Sequence, residues 1–194
     1  MIVREMTLDD YAAVEALEQR VWGEEAATVE MIGSRHNIFP QGSVVAVDEE
    51  GNIVGYAAVQ RVNCVGAESW DAITDYGSIR QSHRDNGHIL YGIGMSGEKF
   101  GVAESVIAYF HKRFIESGIC YMLMLGSRVP GYKKWYERHA GSIRDYIDRR
   151  SSDGYSIDGE LKLYQKHGFE IILAIKDYFP CDKSLNYGAL IALK

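Results

Sequence analysis

The stretch His88–Gly118, HILYGIGMSGEKFGVAESVIAYFHKRFIESG, decides the fold. His88–Ser96 reads as a strand, Gly97–Gly101 as a tight loop, and Val102–Ser117 as an amphipathic helix closed by Gly118. A helix that starts directly after a strand leaves several backbone N–H groups at its mouth without intrahelical partners, aligned with the positive end of the helix dipole. Such a mouth binds phosphate or diphosphate with no special side chain. Gly101 and Ala103 matter there because a bulkier residue would hold a ligand's oxygens away from the main chain. The loop alone also admits a plainer reading, in which its glycines serve only tight strand–helix packing.

Downstream, Cys120–Leu125 has the run of a buried strand, so the middle of the chain is a strand–helix–strand crossover. Upstream, Glu49-Glu50-Gly51-Asn52 is a turn between strands Val44–Val47 and Ile53–Val62. Met1–Glu5 is a short apolar start. Thr7, Asp9 and Asp10 suit a helix N-terminus, and Tyr11, Val14, Leu17 and Val21 follow at helical spacing. A second short helix covers Thr28–Ser34 and is broken by Pro40-Gln41-Gly42. Gly66–Asp85 gives no assignment. Beyond the crossover, residues 126–158 form a long polar insertion with two Tyr-rich helical pieces, around Tyr132–His139 and Ile143–Arg149. A helix Leu161–His167, stopped by Gly168, and strands Phe169–Ile175 and Tyr187–Leu193 complete the chain. This order, with hairpin pairing early and a crossover in the middle, predicts an α/β fold: a mixed sheet with helices on both faces. No repeat or linker divides it, so one domain over residues 1–194 is expected.

The 194 residues are 46% apolar and 25% charged, an ordinary globular balance. A net charge of −6 and a pI near 5.5 argue against a broad nucleic-acid surface and lean toward cationic partners such as amines. Cys64, Cys120 and Cys181 form no CxxC pair. Cys120, beside Tyr121 and Met122, reads as a buried thiol, and the set as reduced and intracellular. No apolar run approaches the roughly 18 residues of a membrane span, and MIVREMTLDD is charged where a signal peptide is apolar. A cytoplasmic protein with no membrane or nucleic-acid partner is therefore expected. G-x-G-x-x-G with its following acidic residue, G-x-x-x-x-G-K-[ST] and H-E-x-x-H are all absent. The six scattered His give no metal spacing, so no metal is expected.

Glu98-x-x-Gly101-x-Ala103, after a strand, resembles the Q/R-x-x-G-x-G/A signature of the GNAT superfamily of N-acetyltransferases, with Glu98 in the place of the usual Arg or Gln. Leu163-Tyr164-Gln165-Lys166-His167-Gly168-Phe169-Glu170 resembles that superfamily's later L-Y-x-K-x-G-F-E segment, in the right order after the next strand. The likeness in element order covers nearly the whole chain. SRHNIFPQGSVVAVDEEGNIVGYA (Ser34–Ala57), SWDAIT, LYGI and SRVPGYKKW (Ser127–Trp135) are similar, more narrowly, to GNAT domains attached to carbon–nitrogen hydrolases of the nitrilase type. The chain is too short to hold such a hydrolase as well.

The resemblance implies a mostly antiparallel sheet of six to seven strands with a splayed central pair, and acetyl-CoA as co-substrate. The pantetheine arm would lie in the splay, against the main chain of Gly94, Met95 and Ser96. Lys99, Phe100, Gly101, Val102 and Ala103 would hold the diphosphate, Lys99 through its side chain. One strand N–H would polarise the acetyl carbonyl, and proximity would supply much of the rest. The acceptor would be a primary amine of a small molecule, a peptide terminus or a Lys side chain, attacking directly in a ternary complex. Tyr164 falls where many such enzymes place the general acid for the departing thiolate; a phenol with pKa near ~10 can give its proton and remain neutral at working pH. Tyr164 also sits among Leu161, Leu163 and Phe169, where an aromatic can be plain core. Asp71, Asp75, His83 and Glu160 could border the acceptor, and none is assigned as base. Tyr132, Trp135, Tyr136, Tyr146 and Tyr155 of the insertion read either as an acceptor wall or as a satellite apolar cluster. Arg128 suits an acidic acceptor or a structural carboxylate. A different class of protein fits the same residues: a non-catalytic acyl-CoA-binding or interaction module that keeps the fold. A homodimer, or a complex with a separate hydrolase, stays open.

Overall fold

The computed structural model describes all 194 residues, which form two compact units, Met1–Asn63 with Thr74–Leu123 and Cys64–Ile73 with Met124–Lys194. Its seven strands are β1 (Ile2–Glu5), β2 (Ser43–Val47), β3 (Ile53–Val62), β4 (Ile89–Gly97), β5 (Met122–Arg128), β6 (Glu170–Ile175) and β7 (Gly188–Leu193). They belong to one sheet in the order β1-β2-β3-β4-β5-β7-β6. The helices are α1 (Tyr11–Trp22), α2 (Val29–Ile38), α3 (Trp70–Thr74), α4 (Val102–Phe110), α5 (Tyr132–His139), α6 (Ile143–Ile147) and α7 (Gly159–Lys166). No helix is long and apolar enough to cross a membrane. The mixed α/β architecture agrees with the element order expected from sequence.

In the first unit, β1, β2, β3 and β4 pair antiparallel in succession. After α4 the chain returns so that Tyr121 N donates to His88 O at 3.0 Å, just ahead of β5 and β4 respectively. Successive residues of a strand face opposite sides, and β4 uses both. Ser96 meets α1, through Trp22, while Gly97 meets Val102 at the start of α4. A Cβ at Gly55 would stand 2.4 Å from Val102 Cγ1, and one at Gly97 would stand 2.8 Å away. These two glycines, paired across β3 and β4, serve close packing of the helix on the sheet. Val14 and Leu17 of α1 are fully buried, each contributing roughly 1.5–3 kcal/mol of transfer free energy.

Local chemistry explains the ends of these elements. The Asp10 carboxylate accepts from Thr7 N–H and O–H, at 2.7 and 2.9 Å, and is forked by Arg4 at 2.6 and 2.8 Å. Thr7 stands at the N-cap, as expected, and Asp10 answers it as the third residue of a capping box. The hairpin turn forms as read, with Gly51 at φ +87° and Asp48 N donating to Asn52 O. The helix after the loop is α only to Phe110; His111–Glu116 is π, and Gly118 at φ +75° ends it. Helix α2 runs on to Ile38, past the Ser34 limit expected. The unassigned stretch from 66 to 85 contains only α3 and a series of turns in which Asp75, Tyr76, Gly77 and Ile79 all have positive φ.

In the second unit, β6 and β7 pair antiparallel. Tyr178 lies against Gly126 and Gly188, where any Cβ would come within 2.1 and 2.4 Å of it. Strand β5 extends to Arg128, beyond the Leu125 limit read from sequence. The insertion is held by Asp158, which caps α7 through the N–H groups of Glu160 and Leu161 and accepts from Tyr146 O–H (2.8 Å) and Gly131 N–H (3.1 Å). Tyr132 packs on Trp135, Tyr136, Tyr146 and Tyr187, and Trp135 stacks on His139 at 4.8 Å. Tyr132, Trp135 and Tyr146 are buried, which is the geometry of a satellite cluster tying down a long segment.

Candidate functional site

The mouth of α4 is built by three local facts. Glu98 N donates to Val54 O at 3.0 Å, the last rung that holds the chain to the sheet. Gly101 then takes φ +88°, which turns the chain into the helix. Val102 N reaches Lys99 O at 3.4 Å, and Ser105 N is the first donor to Gly101 O. The N–H groups of Lys99, Phe100, Gly101, Ala103 and Glu104 consequently have no acceptor in the protein. A Cβ at Gly101 would meet nothing within 4 Å, and Phe100 is fully exposed. Gly101 therefore serves the backbone conformation and leaves space above the amides, whereas Gly97 serves packing.

Strand β4 departs from regular pairing just before this loop. Ala58 pairs with Gly94 but Val59 pairs with Gly92, so Ile93 is an extra residue, a β-bulge. A bulge bends its strand and sharpens its twist. Gly94, next to it, is exposed, with open space where a Cβ would be. Met95 is half-buried and pairs with Ala57. The Ser96 hydroxyl is buried and already engaged: it donates to Glu18 Oε1 and accepts from Trp22 Nε1 at 2.7 Å. Glu18 also accepts from Ala27 N at 3.0 Å. The Ser96 side chain is thus committed, and the residue itself pairs with Tyr56 of β3.

The charged side chains of the loop turn outward. Both Glu98 oxygens are forked by Arg20, Nε at 2.6 Å and Nη2 at 2.9 Å, which holds the carboxyl below its ordinary range. Lys99 Nζ donates to Asp48 Oδ2 at 2.7 Å, and that ammonium is the main reason the Asp48 carboxyl lies at about 2. Lys99 thus points to the hairpin. Sequence reasoning missed Glu18, Arg20 and Trp22; each reads there as an ordinary helix residue, and nothing in their spacing marks the strand they reach.

Of the other carboxylates and histidines considered, Asp75 accepts from Ser78 O–H and Gln81 N–H. His83 is buried against Phe39, and its Nδ1 accepts from Arg61 N. Burial pushes the His83 imidazole below its ordinary value, with Asp85 opposing. These are structural positions.

Tyr164 belongs to the second unit. It is half-buried, edge-on to Phe169 at 5.4 Å, and its hydroxyl has no hydrogen-bond partner in the protein. Its phenol is pushed up by burial first, then by Glu160 and Tyr178. Glu160, one turn earlier on α7, is raised by desolvation and by Asp158, against Arg128 and Ser127; Ser127 Oγ lies 3.5 Å away. Arg128 sits over the Phe179 ring at 4.3 Å, and Trp70 meets the same ring edge-on. This arrangement offers a neutral phenolic proton donor beside a carboxyl that titrates late.

No family model matches the chain, and no curated protein does. Solved structures do. The loading GNATL domain of CurA from Lyngbya majuscula superposes with a TM-score of 0.84 at 18% identity, covering 98% of this chain and 96% of that one. The GphF GNAT-like decarboxylase, solved with isobutyryl-CoA, gives 0.81 at 20% identity over 99% and 98%. The ribosomal-protein-S18-alanine N-acetyltransferase from Escherichia coli gives 0.58 at 12% identity over 99% and 92%. The chain has the GNAT fold.

Proposed function

We propose that the chain binds acetyl-CoA along β4 and at the mouth of α4, and transfers the acetyl group to a primary amine. The observation that carries this reading is the row of five unpartnered amides at Lys99–Glu104, which follows directly on the Ile93 bulge and the open face of Gly94. Support also comes from GNAT-fold proteins whose structures hold acyl-CoA or a CoA-linked bisubstrate analogue. In this reading the five open amides take the diphosphate, so Phe100, Gly101 and Ala103 contribute main chain rather than side chains, while the Val102 N–H stays on Lys99 O. Gly94, Met95 and Ser96 face the pantetheine arm.

The amine nitrogen attacks the thioester carbon; a β4 N–H stabilises the charge that grows on the carbonyl oxygen. The C–S bond then breaks, the Tyr164 hydroxyl protonates the leaving thiolate, and the amide nitrogen releases its extra proton to water, which returns one to the Tyr164 phenolate. Tyr164 suits that task because its raised pKa keeps it protonated throughout the working range. Three free thiols accord with action in a reducing, cytoplasmic setting. The Ser127–Trp135 likeness suggests a nitrilase-type hydrolase as a partner, which co-purification from the source cell would test.

A second reading has its own support. The loading domain and the decarboxylase superpose far better than the N-acetyltransferase, 0.84 and 0.81 against 0.58. The donor side would then be the same, but the acyl group would lose CO2 with no amine involved. One experiment separates the two and the non-catalytic module: free thiol and CO2 are followed with acetyl-CoA and carboxylated acyl-CoA thioesters, with and without an amine panel. Amine-dependent thiol release from acetyl-CoA supports transfer. Amine-independent CO2 release supports the second reading, and binding without either product supports the module.

A further inference from the structure

Helix α7 opens on two carboxylates, its N-cap Asp158 and then Glu160, that are held very differently. Asp158 is buried and committed: it accepts from the N–H groups of Gly131, Glu160 and Leu161 and from the Tyr146 hydroxyl. Glu160 takes part in no ion pair. Its one side-chain partner, Ser127 Oγ, lies 3.5 Å from Oε2, the limit of a hydrogen bond, and has Arg128 O nearer, at 2.9 Å. Glu160 stays accessible to solvent, yet desolvation is the first cause that raises its carboxyl. An acid in the first turn of a helix is ordinarily held ionised by the dipole, so a plain helix-end carboxylate would shift the other way. A group reached from outside and still desolvated belongs to a concave wall. Tyr164 is its neighbour there, because side chains four apart on a helix lie together. The charge of Glu160 acts on the Tyr164 phenol, whose hydroxyl has no partner in the protein. The other charged and titratable groups around the pair are Asp158, Arg128 on β5, and Tyr178 beyond Tyr164.

Resting on the reading of the chain as an acetyltransferase with Tyr164 as its acid, we propose that Glu160 is the proton relay of the reaction: its carboxylate takes the proton that the attacking nitrogen sheds to water and passes it to the Tyr164 phenolate. The balance closes on α7. The C–N bond forms, the C–S bond breaks, and the Tyr164 proton goes to the departing thiolate. The N-protonated amide gives its proton through water to Glu160, and Glu160 gives it to the phenolate. Both residues end as they began. Each transfer runs downhill, since a carboxyl is a stronger acid than a phenol and a weaker one than an N-protonated amide. A loosely held carboxylate suits this work, and one bonded as Asp158 is does not.

The probe is whichever amine of the panel the wild type acetylates, with kcat and acetyl-CoA affinity followed across pH. Wild-type kcat should fall on the acid side, with a limb above the ordinary glutamate range, because the relay must be ionised to accept. Glu160→Gln should lower kcat about a hundredfold, lose that limb, and keep acetyl-CoA affinity within about twofold. Glu160→Asp should keep the limb and recover part of the rate. A Glu160→Gln kcat within about threefold of the wild type overturns the proposal, and so does an acid limb that survives unchanged in that variant. A loss of kcat matched by an equal loss of acetyl-CoA affinity overturns it too, since that marks a structural role. If the wild type releases no thiol with any amine, the transfer reading fails and the proposal with it; a wild type and Glu160→Gln that transfer equally well remove the relay alone.

Discussion

Gly101 stands at φ +88° with open space where a side chain would project. Two substitutions divide its roles. Gly101→Ala should cost about 1 kcal/mol in stability, from the left-handed backbone alone, measured by denaturant unfolding. Gly101→Glu adds a carboxylate over the amides and should abolish CoA binding. At Tyr164 the prediction is kinetic: Tyr164→Phe should lower kcat about a hundredfold while acetyl-CoA affinity stays within twofold, read from steady-state rates and direct titration. Equal rates would remove the acid role. The raised phenol pKa adds that the wild-type kcat profile has no alkaline limb from Tyr164 up to about pH 10. Asp10 gives a stability test. Arg4 first, then Thr7, hold its carboxyl at about 2, against burial. A depressed pKa stabilises the fold above the unfolded value and loses that stability as pH falls from about 4 toward 2. Asp10→Asn should therefore cost about 1–2 kcal/mol at pH 7, allowing for the exposed Arg4, and the gap to wild type should narrow near pH 3.

Among the elements, the strand–loop–helix unit shows what a sequence can carry. Its glycines and helical periodicity are local signals, and Ile53–Val62 was bounded to the residue. The two glycines bracketing the loop nonetheless do different things, since Gly97 sits under Val102 and Gly101 under nothing. That difference depends on Val102 lying over Gly55, a contact the sequence does not announce. Gly55→Ala should destabilise by about 1–3 kcal/mol through overpacking, and Val102→Ala in the same chain should recover part of the loss; thermal unfolding of the two variants checks it. The 66–85 stretch was illegible for a clear reason. Ile79 is buried at φ +56°, a conformation a β-branched residue avoids. It is fixed from outside, by Ile79 N on Thr74 O and by Arg35 Nε and Ser34 Oγ bonding to Gly77 O and Ser78 O. The π turn at His111–Glu116 was equally invisible, because its residues satisfy an α pattern.

For the whole molecule, the fold was legible and the acceptor is not. Element order and two short segments led to the GNAT fold, which superposition with the CurA and GphF domains then showed across nearly the full chain. Of the candidate site, only the backbone geometry of the strand–loop–helix unit was legible. Arg20, Glu18 and Trp22 come to β4 and its loop from α1, about 75 residues away in sequence, a distance over which no motif runs. The central claim is that unpaired amides at the start of α4 hold a nucleotide-tailed thioester. Calorimetric titration of acetyl-CoA into the wild type and Gly101→Glu tests it most directly. Saturable one-site binding near the micromolar range, about −8 kcal/mol, is predicted for the wild type, with none for Gly101→Glu; a wild type that takes up no acetyl-CoA, or a variant that binds it as well, would contradict it.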